Sequence, residues 1–337
     1  MATKSTSPDL PSKTRIMFAY QTAVTDASRR SNGTVNRRFL NIFNFFLKIS
    51  PNEKPIQGVK TLDITVDQSK NLFFRLFIPT KTPSDVTLPV IIYFHGGGFS
   101  FLSPDFFIYD RFCRRFARKI PAIVVSVSYR LSPEYRFPTQ YEDGLQSLRF
   151  LDGNNFQAFP ANADLSKCFL AGDSAGGNLA HHVAVRFAET EFRQVRVIGL
   201  IAIQPFFGGE ERTESEKRLV NVPVVSIKRT DWQWKAFLPE GADRDHEAVN
   251  VFGPKSADIS GLTKFPATLV VTGGFDPLQD WQKRYYEGLK RFGKEAYLVE
   301  YPRAIHLFYG FPELPESSML INEMKNFIEK LQATKKC

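Results

Sequence analysis

Cysteine is scarce in this chain. Only Cys113, Cys168 and Cys337 are present, an odd number at spacings that fit no metal site. Cys168 sits in an apolar run and reads as a buried thiol. No apolar stretch approaches the length of a membrane span. The polar start, residues 1–13, lacks the apolar core of a secretory signal. Cys337 is the final residue, which excludes a prenylation box. Asn32-Gly33-Thr34 has the form of a glycosylation acceptor, but without secretion the match carries nothing. These absences predict a soluble, reduced protein of the cytoplasm, with the nucleus as a second possible place. A monomer or weak dimer is expected.

Acidic residues are the minority. Lys and Arg number 44 against 35 Asp and Glu, for a net charge of +9. Such a balance raises nucleic acid as a partner. The basic residues are scattered in pairs, however: Arg29-Arg30, Arg37-Arg38, Arg114-Arg115, Arg118-Lys119, Lys335-Lys336. No stripe interleaves them with stacking aromatics, so neither nucleic acid nor membrane is expected. The glycine loops carry no following Lys-Ser/Thr and lack dinucleotide spacing. No metal motif is present. No cofactor and no metal are therefore expected. Internal repeats and low-complexity tracts are missing too.

Phenylalanine, by contrast, is abundant: 32 among 337 residues. A large core takes most of them, and the surplus suits an apolar pocket or lid. Residues 61–66 and 72–78 alternate across a polar turn and predict an antiparallel pair. Buried strands are predicted at 89–94, 122–128, 168–172, 197–204 and 267–272, with a last strand at 295–301. Helical periodicity marks 105–119, 138–151, 178–188, 277–292 and 316–332. The last has Leu320, Ile321, Met324, Phe327, Ile328 and Leu331 on one stripe. Eight strands, the later ones alternating with helices, imply a mostly parallel α/β sheet covered on both faces.

Two intervals break this pattern. Residues 1–55 contain no strand and two helices, 13–25 and 36–47. The second is apolar on more than one face and must pack on something. They read as an N-terminal lid on a main domain of residues 56–337. The stretch of about 206–264 is long and polar and holds Trp232 and Trp234. Its length inside an α/β sheet marks it as functional, and it reads as a cap inserted after the sixth strand. Lid helices and the two tryptophans are expected to wall an apolar pocket.

The chain is organised around Gly172-Asp173-Ser174-Ala175-Gly176. A strand precedes it and a helix follows, the context a Gly-x-Ser-x-Gly nucleophile elbow requires. The turn is sharp, so small residues must flank Ser174. It also leaves the Ala175 amide at a helix N-terminus, where negative charge is favoured. A serine needs a base, and the base needs an acid to orient it. Five histidines are available. His95 precedes the elbow in a glycine loop and reads as a bracing residue. His181 and His182 lie within the elbow helix, and His246 in the cap. Only His306 follows the last strand, and it is assigned as base. Asp276, just after the seventh strand, is the acid; it also suits the cap of the next helix, with Pro277 at its start. Its competitor, Asp280, falls inside that helix. The oxyanion needs preorganised N–H donors. The loop His95-Gly96-Gly97-Gly98-Phe99 follows the third strand, so the amides of Gly97, Gly98 and Ala175 are the expected donors.

Together, His95-Gly96-Gly97-Gly98-Phe99, Tyr129-Arg130-Leu131-Ser132-Pro133-Glu134 with Pro138, the elbow, Asp276 and His306 resemble the hormone-sensitive-lipase-like carboxylesterases, those of plants above all. The resemblance covers nearly the whole chain. It implies an α/β-hydrolase with an N-terminal lid that hydrolyses short-chain or small apolar carboxylic esters, a small-molecule substrate needing no cofactor. Other stretches, 29–37, 212–217 and 231–241, look like the gibberellin receptors, relatives that bind hormone under the lid and have lost the catalytic histidine. This chain departs from that pattern: His306 is present, and its oxyanion loop ends in Gly98 rather than serine. A third resemblance, to plant relatives recruited as lyases, ranks below these because their serine or histidine is altered. The expectation is a serine carboxylesterase, with a receptor-like binding protein as the alternative.

Overall fold

The computed structural model describes residues 8, 10–83, 85–153 and 158–334. Cys337, the Lys335-Lys336 pair and most of the polar start lie outside the described residues.

Two strands open the sheet. β1 (Val59–Asp67) and β2 (Leu72–Pro79) pair antiparallel. Their turn is fixed by Asp67, whose Oδ1 accepts from the Ser69 amide, and by Asn71 in the left-handed region at φ 52°. Asn tolerates that conformation better than most residues do. The apolar runs then supply β3 (Leu88–Phe94), β4 (Ile123–Ser128), β5 (Ala163–Asp173), β6 (Val197–Ile203), β7 (Ala267–Phe275) and β8 (Ala296–Ile305). The eight strands stand in the order β1-β2-β4-β3-β5-β6-β7-β8. β2 meets β4 antiparallel, and every later pairing is parallel.

Successive strand residues point to opposite faces, so a parallel strand covered on both sides must be apolar throughout. β3 illustrates this. Val90, Ile92 and Phe94 belong to one core layer, Ile91 and Tyr93 to the other. The first layer is closed by α4 (Thr139–Gly153), α5 (Ala175–Ala188) and α8 (Gln279–Arg291). The second lies under α3 (Phe107–Lys119) and α9 (Pro315–Thr334). All six residues of the α9 stripe are buried.

The N-terminal segment forms α1 (Ser12–Ser28) and α2 (Arg37–Asn44), with a 3-10 turn after it. Between β6 and β7 lie α6 (Glu214–Arg218) and α7 (Ile227–Phe237). Ion pairs join these two regions to each other and to the body. Arg229 of α7 grips Asp26 of α1 through Nε and Nη2 at 3.0 and 2.8 Å. Arg37 at the start of α2 reaches the Glu134 carboxylate and the carbonyls of Ser100 and Ser132. Half-exposed ion pairs of this kind contribute about 1 kcal/mol or less each; their carbonyl contacts make Arg37 the firmer tether.

The second apolar helix was expected to pack on something, and it does so by one face. Only Leu40 of α2 is buried, while Ile42, Phe43, Phe45 and Phe46 are exposed, Phe46 at 87 %. Leu40 closes a small satellite cluster with Val24, Val35 and Phe101. Leu40, with Phe39 packed beside it, anchors the short helix, while Ile42 and Phe43 face outward. The helical start expected at Pro277 is late: α8 begins at Gln279.

Candidate active site

The elbow is a consequence of close packing. Ser174 sits at φ 50° and ψ −121°, a region that non-glycine residues occupy only when their surroundings impose it. Its amide donates to the Ile203 carbonyl at the end of β6, and its carbonyl accepts from the Phe206 amide. Those two bonds hold the turn from both sides. α5 then passes so near β3 that a Cβ on Gly176 would lie 1.9 Å from the Phe94 carbonyl oxygen. Only glycine allows that approach. Ala175 opens α5 and is buried, and a first helical residue has no partner for its N–H inside the helix.

Opposite the elbow runs the glycine loop. Gly97 takes φ 108°, and a Cβ there would lie 2.2 Å from the Phe101 carbonyl oxygen. Gly96 donates its amide to Asp173 Oδ1 and to the Tyr109 hydroxyl. His95 is buried below. Its ring stacks on Tyr129 with centroids 4.3 Å apart, and its Nδ1–H donates to the Gly96 carbonyl at 2.8 Å. The Tyr129 hydroxyl donates to the His95 carbonyl. Further along the 129–134 stretch, Arg130 pairs with Asp143 and Ser132 meets Ser100. That stretch is therefore a brace for the glycine loop.

His306 follows β8 and is buried. Its Nδ1–H donates to Asp276 Oδ2 at 2.7 Å. This leaves Nε2 as the ring nitrogen with a lone pair. Asp276 is fully buried and receives three more donors: Gln204 Nε2 at 3.0 Å, Gln282 Nε2 at 2.8 Å and, on Oδ1, the Leu278 amide. Four donors saturate a carboxylate. Gln204 also accepts from the Leu307 amide and donates to the Ile305 carbonyl, so it ties the end of β6 to the histidine loop. Neither glutamine announces itself in the sequence. A glutamine directly after an apolar strand, in a place where a parallel sheet carries its site, is the signal Gln204 offered. Asp280 is engaged elsewhere, accepting from the Ser215 amide.

Ser174, His306, Gly97 and Gly98 line one cavity, which encloses about 900 Å³ of atom-free space with its mouth included. Asp276 stands behind His306, outside the lining. Phe18, Phe101 and Leu102 give the cavity apolar walls, and α1 of the N-terminal segment roofs it through Met17, Gln21 and Thr25. The expected tryptophan wall is not there. Trp234 is in the core, stacked on Phe206 with centroids 3.9 Å apart. Trp232 secures the N-terminal segment, against Phe101 and under the Arg29 guanidinium. The residue between them, Gln233, is the one that lines the cavity. No residue of α2 does.

The other histidines stand apart. His181 and His182 are enclosed in α5, His181 against the Tyr285 hydroxyl at 3.0 Å. His246 Nδ1 accepts from the Ala248 amide. Burial lowers His95 from 6.5 to about 4 and His181 to about 3. In the unfolded chain both take up protons near 6.5. Below that pH the unfolded chain binds protons the native one refuses, so stability falls as pH falls. Each histidine removes about 1.4 kcal/mol per pH unit until its own native value is reached. The urea midpoint should therefore drop between pH 6.5 and 4, and His181→Gln should drop less steeply. Equal slopes for the two proteins would contradict the burial argument.

A model of the alpha/beta hydrolase fold matches residues 91–310. The gibberellin receptor GID1C of Arabidopsis thaliana is 40% identical over 312 residues, covering 89% of each chain. Carboxylesterase 20 of the same plant is 37% identical over 83% of this chain and 88% of its own. This chain belongs to the hormone-sensitive-lipase-like α/β-hydrolase family. It stands close to the gibberellin-receptor branch and has plant carboxylesterases among its relatives. Among solved structures, the hyperthermophilic esterase of Pyrobaculum calidifontis superposes with a TM-score of 0.73 at 26% identity, over 96% of this chain and 99% of that one. A Rhizomucor miehei esterase does so with 0.75 at 26% identity, over 93% and 96%. No described helix is long and apolar enough to cross a membrane. No described cluster of His, Cys, Asp and Glu could hold a metal ion.

Proposed function

We propose that this hydrolase is a serine carboxylesterase for small, largely apolar esters. The observation that carries the reading is the buried His306–Asp276 pair, 2.7 Å apart, whose histidine shares a cavity with the strained Ser174. Ser174 attacks the ester carbonyl. His306 Nε2 takes the hydroxyl proton and passes it to the leaving alcohol. Asp276 holds the imidazole tautomer and stabilises the imidazolium. The Gly97, Gly98 and Ala175 amides receive the oxyanion; each such donor contributes about 3–4 kcal/mol. Water then attacks the acyl-enzyme by the same proton route in reverse. Residues 1–55 act as lid and about 206–264 as cap, joined by Asp26–Arg229. The expected substrate site needs no cofactor and no metal.

The measurement is release of p-nitrophenol from the acetate and butyrate esters. Wild type should turn over, and His306→Ala should fall to the background rate. Turnover that survives in His306→Ala refutes the assignment of the base. The relatives named as gibberellin receptors, 37–40% identical over 89–95% of this chain, support a second reading: a binding protein closed by its lid. Absence of turnover together with saturable binding of a gibberellin would favour it.

A further inference from the structure

The cavity roof contains a polar group with no partner. Both amide atoms of Gln21, Nε2 and Oε1, are shielded from solvent without a hydrogen bond. Among the described residues, no other side chain has both ends of an amide stranded in this way. Gln21 lines the same cavity as Ser174 and His306. Its position on α1 sharpens the point. The inward stripe of the helix runs Phe18, Gln21, Thr22, Thr25, the i, i+3, i+4, i+7 spacing of a face turned to a core. Helical period asks for an apolar residue at 21. A buried carboxamide without a partner is destabilising, and native structures keep few of them.

Resting on the esterase reading, we propose that Gln21 reads the substrate. The ester carries, on an otherwise apolar body and away from the ester bond, a hydroxyl that pairs with the Gln21 carboxamide. The amide offers a donor and an acceptor, and a hydroxyl answers both. An anion would satisfy Nε2 and be repelled by Oε1. Threonine hydroxyls at 22 and 25 flank the amide, and the Met17 and Phe18 side chains next to them receive the apolar part.

The test compares p-nitrophenyl hexanoate, octanoate and decanoate with their ω-hydroxy counterparts, on wild type and Gln21→Leu. The readout is the ratio of kcat/KM for the hydroxylated ester over the plain one. In wild type the ratio should reach roughly tenfold at the chain length that spans the cavity, as one well-made hydrogen bond allows. In Gln21→Leu it should fall to about one, and Tm should hold or rise, because a stranded amide is gone. A ratio identical in the two proteins overturns the proposal, the amide then being a part of the wall that reads nothing. A lowered Tm with an unmoved ratio overturns it as well, and makes Gln21 a buttress of α1. If wild type hydrolyses neither ester, the esterase reading fails by itself. The same ratio is then read as Kd, by calorimetric titration of Ser174→Ala with the corresponding methyl esters, and it decides the role of Gln21 alone.

Discussion

Ser174→Ala will lower kcat/KM on p-nitrophenyl butyrate by about 10⁵–10⁶, and adding His306→Ala to it will lower it little further. Members of a nucleophile–base pair act as one device, so removing either removes nearly the whole of it. The residue left over should be a small rate from binding and from the amides of Gly97, Gly98 and Ala175. Folding should be indifferent to the alanine. Alanine leaves the backbone at φ 50°, with its bonds to Ile203 and Phe206 in place. Ser174→Gly should behave differently. Glycine accepts that φ without steric cost, so Tm should rise, by an amount corresponding to about 1 kcal/mol or more. Activity lost with stability gained would mark the elbow as a strained site held for chemistry. A double variant that falls a further thousandfold below Ser174→Ala would mean that His306 acts independently of Ser174, and the triad would need redrawing.

The sheet could be read from the sequence because a parallel strand buried on both faces is a run, not an alternation, and such runs are conspicuous. β3, β4, β6 and β7 begin within one residue of the apolar runs that announce them. The elbow and the glycine loop were readable for another reason: their backbones admit so few residue types that composition betrays conformation. The lid was harder. Apolar period in α2 says that a face is apolar, not that something covers it, and Ile42 and Phe43 stand 70 % and 40 % exposed. The two tryptophans show the limit most plainly. Residues 232, 233 and 234 are each turned about 100° from the last around α7. One therefore meets the N-terminal segment, the next the cavity and the third the core. Knowing that the helix exists does not give its rotation, and the rotation decides which of three side chains faces the cavity. Gln204 and Gln282 were missed because their role depends on where Asp276 lands, which no local pattern carries.

The same holds for Asp173, which looks in the sequence like a spacer between Gly172 and Ser174. Its buried carboxylate accepts from Tyr93 at 2.6 Å, Tyr109 at 2.9 Å, Tyr309 and the Gly96 amide at 3.0 Å. These donors come from β3, α3, the turn after His306 and the glycine loop. Burial pushes the Asp173 carboxyl above its ordinary range, against the pull of the three tyrosine hydroxyls. The glycine loop, the elbow and the turn after His306 are thus pinned to one side chain. Asp173→Ala would take the acceptor from three buried hydroxyls at once and leave the Gly96 amide only its bond to Tyr109. Its cost should be about 4 kcal/mol or more, a large part of the 5–15 kcal/mol a domain of this kind possesses, so poor folding is expected of it. Asp173→Asn is the sharper variant. Hydroxyls can rotate to accept from its amide, but the Gly96 N–H cannot, so the side chain must keep its oxygen toward Gly96. The fold should survive with a Tm lowered by several degrees. The glycine loop should shift by fractions of an ångström, enough to cost about 10²-fold in kcat where donors must meet a developing charge. KM should change less than kcat, because the apolar walls at Phe18, Phe101 and Leu102 keep their places. A kcat near that of wild type in a folded Asp173→Asn protein would show that the loops hold their own positions, and that the tyrosine-bound carboxylate serves stability alone.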